Sequence, residues 1–495
     1  MIAVLVAAGL VLLFVVLLRA FGLVDHSREV IALSRTSLGV IQDPSLADEE
    51  KERTLQANTI RIFREFLVLA GGGALALAIP FALAWAGDAV GLVPLDDVVD
   101  VSLSPAFLGV SGLLALVALF VPSRGTDAAP GAVDGDDDAG NAAYSGGDRA
   151  VHRMAFRTRE AQVAVAGLED RIFRKRLERC AVHRPVFITG LPRAGTTLLL
   201  EILAARPEFA AHRYRDMPFL LTPLLWDRLS GSHRQGGALR ERTHGDGMLI
   251  GPDSPEALEE VVWLAFERPR YEGDVIQPWE EALDPELAAF LRSHLRKIIL
   301  LRGGEHDPGV RYVSKNNLNI ARTRALRRVF TDADVVVPFR EPTRHAASLL
   351  RQHRNFTEIH QRDAFAREYM REIGHFDFGE NLRPVDFDGW YETRESSDPD
   401  SLAFWIEYWV AAYGYLLERD VDLSFFSYDA LLERPRPSLE ALADAIGYSD
   451  SQGLAKAGDR LRAPGTTEPD LSAVPDPLLA RAREIHDRLR TKAVT

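Results

Sequence analysis

The sequence contains one cysteine, Cys180, in 495 residues. A single thiol cannot form a disulfide within the chain or supply a thiolate cluster for a metal, so both are excluded. Lysine is also scarce, with six lysines against 52 arginines, and the excess of acidic residues gives a formal charge of −13. A chain with this net charge is poorly suited to a polyanion, so we expect no nucleic acid partner.

Three long apolar runs lie in the first quarter of the chain, at residues 2–18, 67–86 and 103–121. Each is about as long as a helix must be to cross a bilayer. The first run has no basic segment ahead of it, which argues against a cleaved signal peptide. We therefore predict about three transmembrane helices.

The loops between these runs predict a topology. Residues 19–66 contain seven arginines and lysines, whereas residues 87–102 contain none. Basic loops stay on the cytoplasmic side, so the N-terminus and residues 87–102 are expected outside. The chain is therefore predicted to be an integral membrane protein whose large C-terminal domain faces the cytoplasm.

The composition also predicts three domains. A membrane region at 1–122 is followed by a flexible linker at 123–150, which is small, acidic and without apolar periodicity. From 151 to 495, helical patterns alternate with short apolar strands, which is typical of a parallel α/β sheet. The candidate strands are residues 186–189, 312–314, 335–339 and 423–428.

The stretch PVFITGLPRAGTTLLL, residues 185–200, predicts a strand that enters a glycine turn and then a helix. Gly190 and Gly195 bracket four residues, so the turn amides and the helix N-terminus can bind a phosphate. The motif is close to the nucleotide-binding P-loop, but Thr196 stands where a P-loop has lysine. Arg193 is the cation of the turn, and its guanidinium can bind phosphate oxygens in a fork.

The segment ITGLPRAGTTLL resembles the 5′-phosphosulfate loop of the sulfotransferases that use 3′-phosphoadenosine 5′-phosphosulfate (PAPS), G-x-P-R-[SA]-G-T-T-x-L. The family's second motif, an arginine at a strand end and a serine eight residues later, is matched by Arg340 and Ser348. The resemblance implies that these two residues hold the 3′-phosphate. It implies that the 5′-phosphosulfate is bound by Arg193, Ala194, Gly195, Thr196 and Thr197.

The sequence after Arg340 independently predicts an anion site. Pro342 is suited to open a helix, and Arg340 would then lie beside the N-terminus of that helix.

The resemblance further implies a P-loop-like sulfotransferase domain that moves the sulfuryl group of PAPS to a hydroxyl or amine without a metal. Such a transfer needs cations over the leaving phosphate and a base for the acceptor proton. Lys315, which follows an apolar strand, is the candidate second cation. Related enzymes often place a carboxylate just after the first helix, which makes Asp216 the candidate base. The alternatives that stay open are His212, Glu256 and Glu259.

The acceptor is left open between a small molecule, a glycan and a lipid, with a membrane-associated acceptor favoured by the predicted anchor. One alternative function is a P-loop nucleotide kinase. It is disfavoured by Thr196 and by Arg340, because magnesium-dependent enzymes carry a carboxylate at such a strand end. The other alternative is a non-catalytic, membrane-tethered nucleotide-binding protein that kept the fold and lost the base.

Overall fold

A computed structural model describes residues 2–23, most of 25–37, 48–103, 156, 159–230, 240–241, 249–250, 253–461 and 468–494. The chain divides into two compact units, Met1–Asp134 and Gly135–Thr495. The predicted linker at 123–150 lies outside the described residues, because nothing between 104 and 155 is among them. The predicted domain boundaries therefore stay predictions.

The first unit contains the helices Ile2–Ala20, Asp48–Ala89 and Leu95–Leu103. Among the described residues, the stretch Arg53–Ala89 is the one helix long and apolar enough to cross a membrane, judged by length and composition. The apolar helix Val6–Ala20 is shorter.

The third predicted span, 103–121, lies outside the described residues beyond Leu103. The expectation of three spanning helices is therefore not supported by the part of the chain that the structure describes, which offers one candidate.

The second unit is built on a parallel sheet. Its strands are β1 (Val186–Ile188), β2 (Phe209–Ala210), β5 (Arg311–Lys315), β6 (Asp334–Phe339) and β7 (Ser424–Ser427), in the order β2-β5-β1-β6-β7. Two short strands, β3 (Arg240–Glu241) and β4 (Leu249–Ile250), form a separate antiparallel pair. The four predicted strands are confirmed to within one residue at each end. The remaining strands, of two residues each, are too short for a periodic pattern to show in the sequence.

Side chains of the central strands alternate between two buried clusters, because successive residues of a strand point to opposite faces. Phe187 belongs to one cluster, whereas Val186 and Ile188 belong to the other. The sheet is therefore buried on both faces, as a parallel sheet requires.

The helices of this unit are Arg159–Ile172, Arg174–Leu177, Thr196–Ala204, Pro223–Ser230, Glu260–Phe266, Pro285–Leu301, Thr323–Val329, Pro342–Arg362, Ala364–Glu372, Trp390–Thr393, Leu402–Glu418, Tyr428–Glu433, Pro435–Ala445, Ser451–Ala455 and Asp476–Lys492. Short 3₁₀ helices lie at Tyr214–Asp216, Arg268–Tyr271, Asn317–Arg322, Gly379–Asn381, Phe387–Gly389 and Lys456–Arg460.

The strand register brings four strand ends to one edge of the sheet. Ile188, the last residue of β1, is paired with Lys315 of β5 and with Val336 of β6. Phe339 and Ser427, the last residues of β6 and β7, are paired with each other. In open parallel sheets, ligands bind at the carboxyl ends of the strands where the order reverses, which in this sheet is beside β1.

A buried ion pair supports the end of β5. The Arg322 side chain is fully buried, and its Nη2 lies 2.8 and 3.0 Å from the two carboxylate oxygens of Glu260. The guanidinium also lies over the rings of Trp263 and Trp279, at 4.1 and 4.3 Å from the ring centroids. Asn316, which follows Lys315, donates to the same carboxylate at 2.6 Å. The pair therefore fixes the backbone next to Lys315.

Arg322→Met is expected to lower the free energy of unfolding by about 3–5 kcal/mol, because it leaves the Glu260 carboxylate buried without its cation. Chemical denaturation of the full-length chain measures this. The matched control is Arg324→Met. Arg324 forms a partly exposed ion pair with Glu280 at 3.2 Å, so its loss should lower the free energy of unfolding by less than about 1 kcal/mol. Equal losses in the two variants would contradict the role given to the buried pair.

Candidate active site

A cavity of about 460 Å³ opens at the shared edge of the strand ends. Four strand ends contribute to its wall: the loop after β1, Lys315 at the end of β5, Arg340 after β6 and Tyr428 after β7. The residues of the sequence prediction that line it are Arg193, Gly195, Thr196, Thr197, Lys315, Arg340 and Ser348. Ala194 is fully buried and is not part of the wall. Two motifs, whose residues Arg193 and Ser348 are 155 positions apart in the chain, thus meet in one cavity.

The turn after β1 has the backbone that an anion-binding loop requires. Gly190, Arg193 and Gly195 have φ values of 146°, 69° and 93°. A Cβ atom on Gly195 would clash with the ring of Tyr428, so both the φ value and the space demand glycine. Gly195 precedes the helix Thr196–Ala204 without a side-chain cap. The first amides of that helix are therefore available to a ligand in the cavity.

The two motifs are joined by a hydrogen bond and surrounded by positive charge. Arg193 Nε donates to Ser348 Oγ at 3.4 Å. The Arg340 guanidinium lies 5.3 Å from the Tyr428 ring centroid, and its buried Nε has no hydrogen-bond partner among the described residues. Arg351, one helical turn after Ser348, also lines the cavity. Burial and the charges of Arg340 and Arg193 lower the pKa of Arg351. The three arginines form a site for an anion with more than one charge.

The N-terminus of the helix Pro342–Arg362 does not offer the anion site that the sequence predicts there. The carboxylate of Glu341 caps it, accepting from the amides of Thr343 and Arg344 at 3.1 and 2.8 Å. A phosphate cannot occupy donors that a carboxylate already fills, so the anion site predicted at this helix end is corrected. The Arg340 and Ser348 side chains, and not the helix amides, are what this region offers to a ligand.

A neutral histidine holds the turn in place. His345 Nε2 lies 2.8 Å from the carbonyl oxygen of Pro192, and Trp409 Nε1 donates to His345 Nδ1 at 3.1 Å. The proton is therefore on Nε2, which donates to Pro192. Burial, aided by the charges of Arg340 and Arg193, lowers the pKa of His345 to about 3. The side chain supports the loop without adding charge to it.

Lys315 and Asp377 bring charges of opposite sign to the same cavity. Lys315 is buried at the end of β5, and Asp377 follows the helix Ala364–Glu372. Asn317 Nδ2 donates to Asp377 Oδ2 at 3.0 Å. Burial raises the pKa of Asp377, while the Asn317 hydrogen bond and the Lys315 charge act in the opposite direction.

Sequence reasoning missed both Arg351 and Asp377. Arg351 could have been found, because it lies three residues after Ser348 and so on the same helix face. Asp377 carries no such signal, because it lies in an irregular segment whose approach to Lys315 depends on the tertiary fold.

Asp216, the predicted base, lies outside the cavity wall. Both of its carboxylate oxygens accept from Arg302 Nη2, at 2.7 and 2.6 Å, and the Arg213 amide donates to it at 2.8 Å. The physical reason is the position of β2, which precedes this segment and forms the edge of the sheet two strands away from β1. Asp216 is thereby held in a buried ion pair, and a catalytic role for it stays an untested prediction that this placement does not favour.

The three alternatives for the base also have partners elsewhere and do not line the cavity. His212 Nε2 lies 3.3 Å from Nε2 of the stacked His294 ring. Glu256 accepts from the Tyr214 hydroxyl. Glu259 accepts from the hydroxyls of Tyr312 and Ser314, at 3.0 and 2.6 Å. All three belong to the packing around β5 or to the segment beside it.

Within the described residues, no group of three or more histidine, cysteine, aspartate or glutamate side chains is arranged to hold a metal ion. The expectation of a metal-free site stays a prediction.

These features define a parallel α/β protein with a P-loop-like anion site at the end of its central strand. Residues 185–378 match the model of a family described as "Sulfotransferase family", a segment that covers less than half of the chain and includes Arg193, Lys315, Arg340, Ser348 and Asp377. No curated protein matches the chain.

Two solved structures are similar to the chain at low identity. The first is sulfotransferase STF9 from Mycobacterium avium, which is 15% identical with a TM-score of 0.39; the match covers 69% of this chain and 84% of that chain. The second is sulfotransferase STF1 from Mycobacterium tuberculosis H37Rv, which is 15% identical with a TM-score of 0.35; the match covers 68% of this chain and 84% of that chain.

The neutral state of His345 predicts acid sensitivity. Its pKa of about 3 in the folded chain is below the ordinary value of about 6.5, so the unfolded chain binds the extra proton first. Stability is therefore lost as the pH falls below about 6.5, at about 1.4 kcal/mol per pH unit from this group. His345→Gln, which cannot titrate, should reduce the pH dependence of the unfolding free energy between about pH 6 and 4 by that amount. An unchanged slope would show that His345 does not titrate in this way.

Proposed function

We propose that the chain transfers the sulfuryl group of PAPS to a hydroxyl or amine of an acceptor. The observation that carries the proposal is the meeting of Arg193, Lys315, Arg340 and Ser348 in one cavity at the ends of β1, β5 and β6. The family match over residues 185–378 supports sulfuryl transfer as the reaction class. PAPS carries a phosphate at the 3′ position and a phosphosulfate at the 5′ position of its ribose. The cavity has cationic groups from two separate motifs, one for each of these anionic groups.

Each cationic group has a role in this proposal. The amides and Arg193 of the turn hold the 5′-phosphosulfate, because a loop of this backbone binds phosphates. Arg340 and Ser348, with Arg351, hold the 3′-phosphate. Lys315 neutralises the charge that develops on the leaving phosphate as the sulfur–oxygen bond breaks. The buried Nε of Arg340 has no hydrogen-bond partner among the residues that the structure describes, which fits a side chain that completes its hydrogen bonds with a ligand.

A nucleotide kinase is the competing enzyme class. It would need a lysine at the position of Thr196 and a carboxylate for magnesium at the end of β6, where this chain has Arg340. ATP with magnesium is therefore the informative competitor in a binding experiment.

PAP, the product left after sulfuryl transfer, is expected to bind tightly to the full-length chain in calorimetry. Arg193→Ala and Arg340→Ala should each weaken binding by roughly 30- to 1000-fold, because each removes a charge-assisted contact with phosphate. Arg344→Ala is the matched control, since Arg344 lies on the helix beside Arg340, forms an ion pair with Glu468, and is not part of the cavity wall. Tighter binding of ATP with magnesium than of PAP, or no effect of Arg340→Ala, would favour the kinase.

The proposal extends to attachment to a membrane. Along the helix Arg53–Ala89, Leu77, Phe81 and Trp85 are each more than 60% exposed. Contiguous apolar side chains of this kind are covered by lipid or by another protein, because their exposure to water is unfavourable. An acceptor in the same membrane, such as a lipid or glycolipid, would gain effective concentration from the attachment.

The side of the membrane depends on how many times the chain crosses after its basic loop. With residues 19–66 in the cytoplasm, a single crossing by the run at 67–86 would leave the sulfotransferase domain outside. A second crossing by the run at 103–121 would return it to the cytoplasm, where PAPS is made. Our proposal of a cytoplasm-facing domain therefore requires both crossings.

A fusion of alkaline phosphatase after residue 495, expressed in a bacterial host, is expected to be inactive, because that enzyme matures outside the cytoplasm. Deletion of residues 103–121 should remove one crossing and make the fusion active. A phosphatase that is active on the unaltered chain would contradict the cytoplasmic placement.

A further inference from the structure

The cavity has an apolar part that the phosphate-binding residues do not use. Phe356, Met370 and Phe378 contribute to its wall, and the Phe356 and Phe378 rings are nearly parallel with centroids 6.0 Å apart. Phe356 lies eight residues after Ser348 on the same helix, which is about 12 Å further along the axis. This part of the wall is therefore separated from the residues that hold the 3′-phosphate.

Asp377 adds a carboxylate to this apolar part. It immediately precedes Phe378, it accepts from Asn317, and the charge of Lys315 acts on it. Asp377 and Lys315 line the same cavity, which is where an acceptor must bind to attack a sulfuryl group whose leaving phosphate Lys315 neutralises. Burial raises the pKa of Asp377, which makes its carboxylate a stronger base than one in water.

His360 complements the carboxylate as a donor. Its Nδ1 accepts from the Glu380 amide at 3.2 Å, so the proton of the neutral ring is on Nε2. Burial lowers the pKa of His360, which keeps the ring neutral. Its Nε2 is buried and has no hydrogen-bond partner among the described residues. His360 lines the cavity, and in this tautomer its Nε2 is a hydrogen-bond donor that cannot take a proton.

We propose that Asp377 is the catalytic base and that it deprotonates the hydroxyl of an acceptor whose apolar body packs on Phe356, Met370 and Phe378. The inference rests on the proposed sulfuryl transfer. In the reaction, the acceptor oxygen forms a bond to the sulfur of PAPS, and the bond between that sulfur and the 5′-phosphate oxygen breaks. The acceptor proton moves to Asp377, and PAP leaves with the electron pair of the broken bond.

Two other side chains of the wall must be distinguished from Asp377. Glu201 lies one turn after Thr197 on the helix of the phosphate loop, and His375 lies two residues before Asp377. The charged and titratable groups that bear on Asp377 are Lys315, Glu260 and Tyr408, with His360 and His375 in the same wall. A test must therefore separate proton removal by Asp377 from a change in the charge of its neighbours.

Two phenols of different acidity make this separation with the full-length chain. At mildly alkaline pH, para-nitrophenol is largely ionised and needs no base, whereas phenol retains its proton. Asp377→Asn should lower kcat with phenol by roughly 10²- to 10⁴-fold and lower it far less with para-nitrophenol. PAP affinity should be unchanged, and the acidic limb of the pH profile with phenol should disappear. Asp377→Glu should restore part of the activity.

Equal losses with the two phenols, or an acidity-dependent loss in Glu201→Gln or His375→Gln instead, would overturn the assignment. A wild-type chain that binds PAP but releases none from PAPS would contradict the proposed function. In that event, para-nitrophenol bound to the complex with PAP still tests Asp377. The absorption of bound para-nitrophenol should show that the pKa of its hydroxyl is higher in the wild type than in Asp377→Asn, because the Asp377 carboxylate disfavours a second negative charge beside it. No difference, or no binding of the phenol, would overturn the inference.

Discussion

Crowding of like charges at one edge of a parallel sheet is the constraint on which the other features of this site depend. Arg193, Arg340 and Arg351 approach closely enough for the first two to lower the pKa of the third. Such repulsion is unfavourable in the folded chain until an anion compensates for it. The surrounding structure must therefore hold the loop and the strand ends in place against this repulsion.

The groups that do so are neutral or belong to an ion pair. His345 donates to the carbonyl of Pro192 in the loop, and the Tyr413 hydroxyl donates to the carbonyl of Pro338 at 2.9 Å. The Glu260 carboxylate, which fixes Asn316, is compensated by the buried Arg322. None of these adds an uncompensated charge that would compete with a ligand. A cationic site held in place in this way suits the sulfuryl transfer that we propose, because its donors need not reorganise as charge develops on a leaving phosphate.

Placement of the acidic groups follows from the same topology. The segment after β2 lies at the edge of the sheet, and there Asp216 forms an ion pair with Arg302. The segment after the helix Ala364–Glu372 instead brings Asp377 to the cavity beside Lys315. A family pattern placed the base after the first helix, whereas the fold of this chain gives that segment a structural ion pair.

The sequence by itself determined the strands β1, β5, β6 and β7, the glycine turn and the spacing of Arg340 and Ser348. These features depend on local rules: an apolar run forms a buried strand, and glycine permits a positive φ. Only the tertiary structure decided that Glu341 caps its own helix, that Arg351 joins the cationic cluster, and that Asp377 rather than Asp216 lines the cavity. Those outcomes depend on contacts between segments that are distant in the chain, and a local pattern carries no information about such contacts.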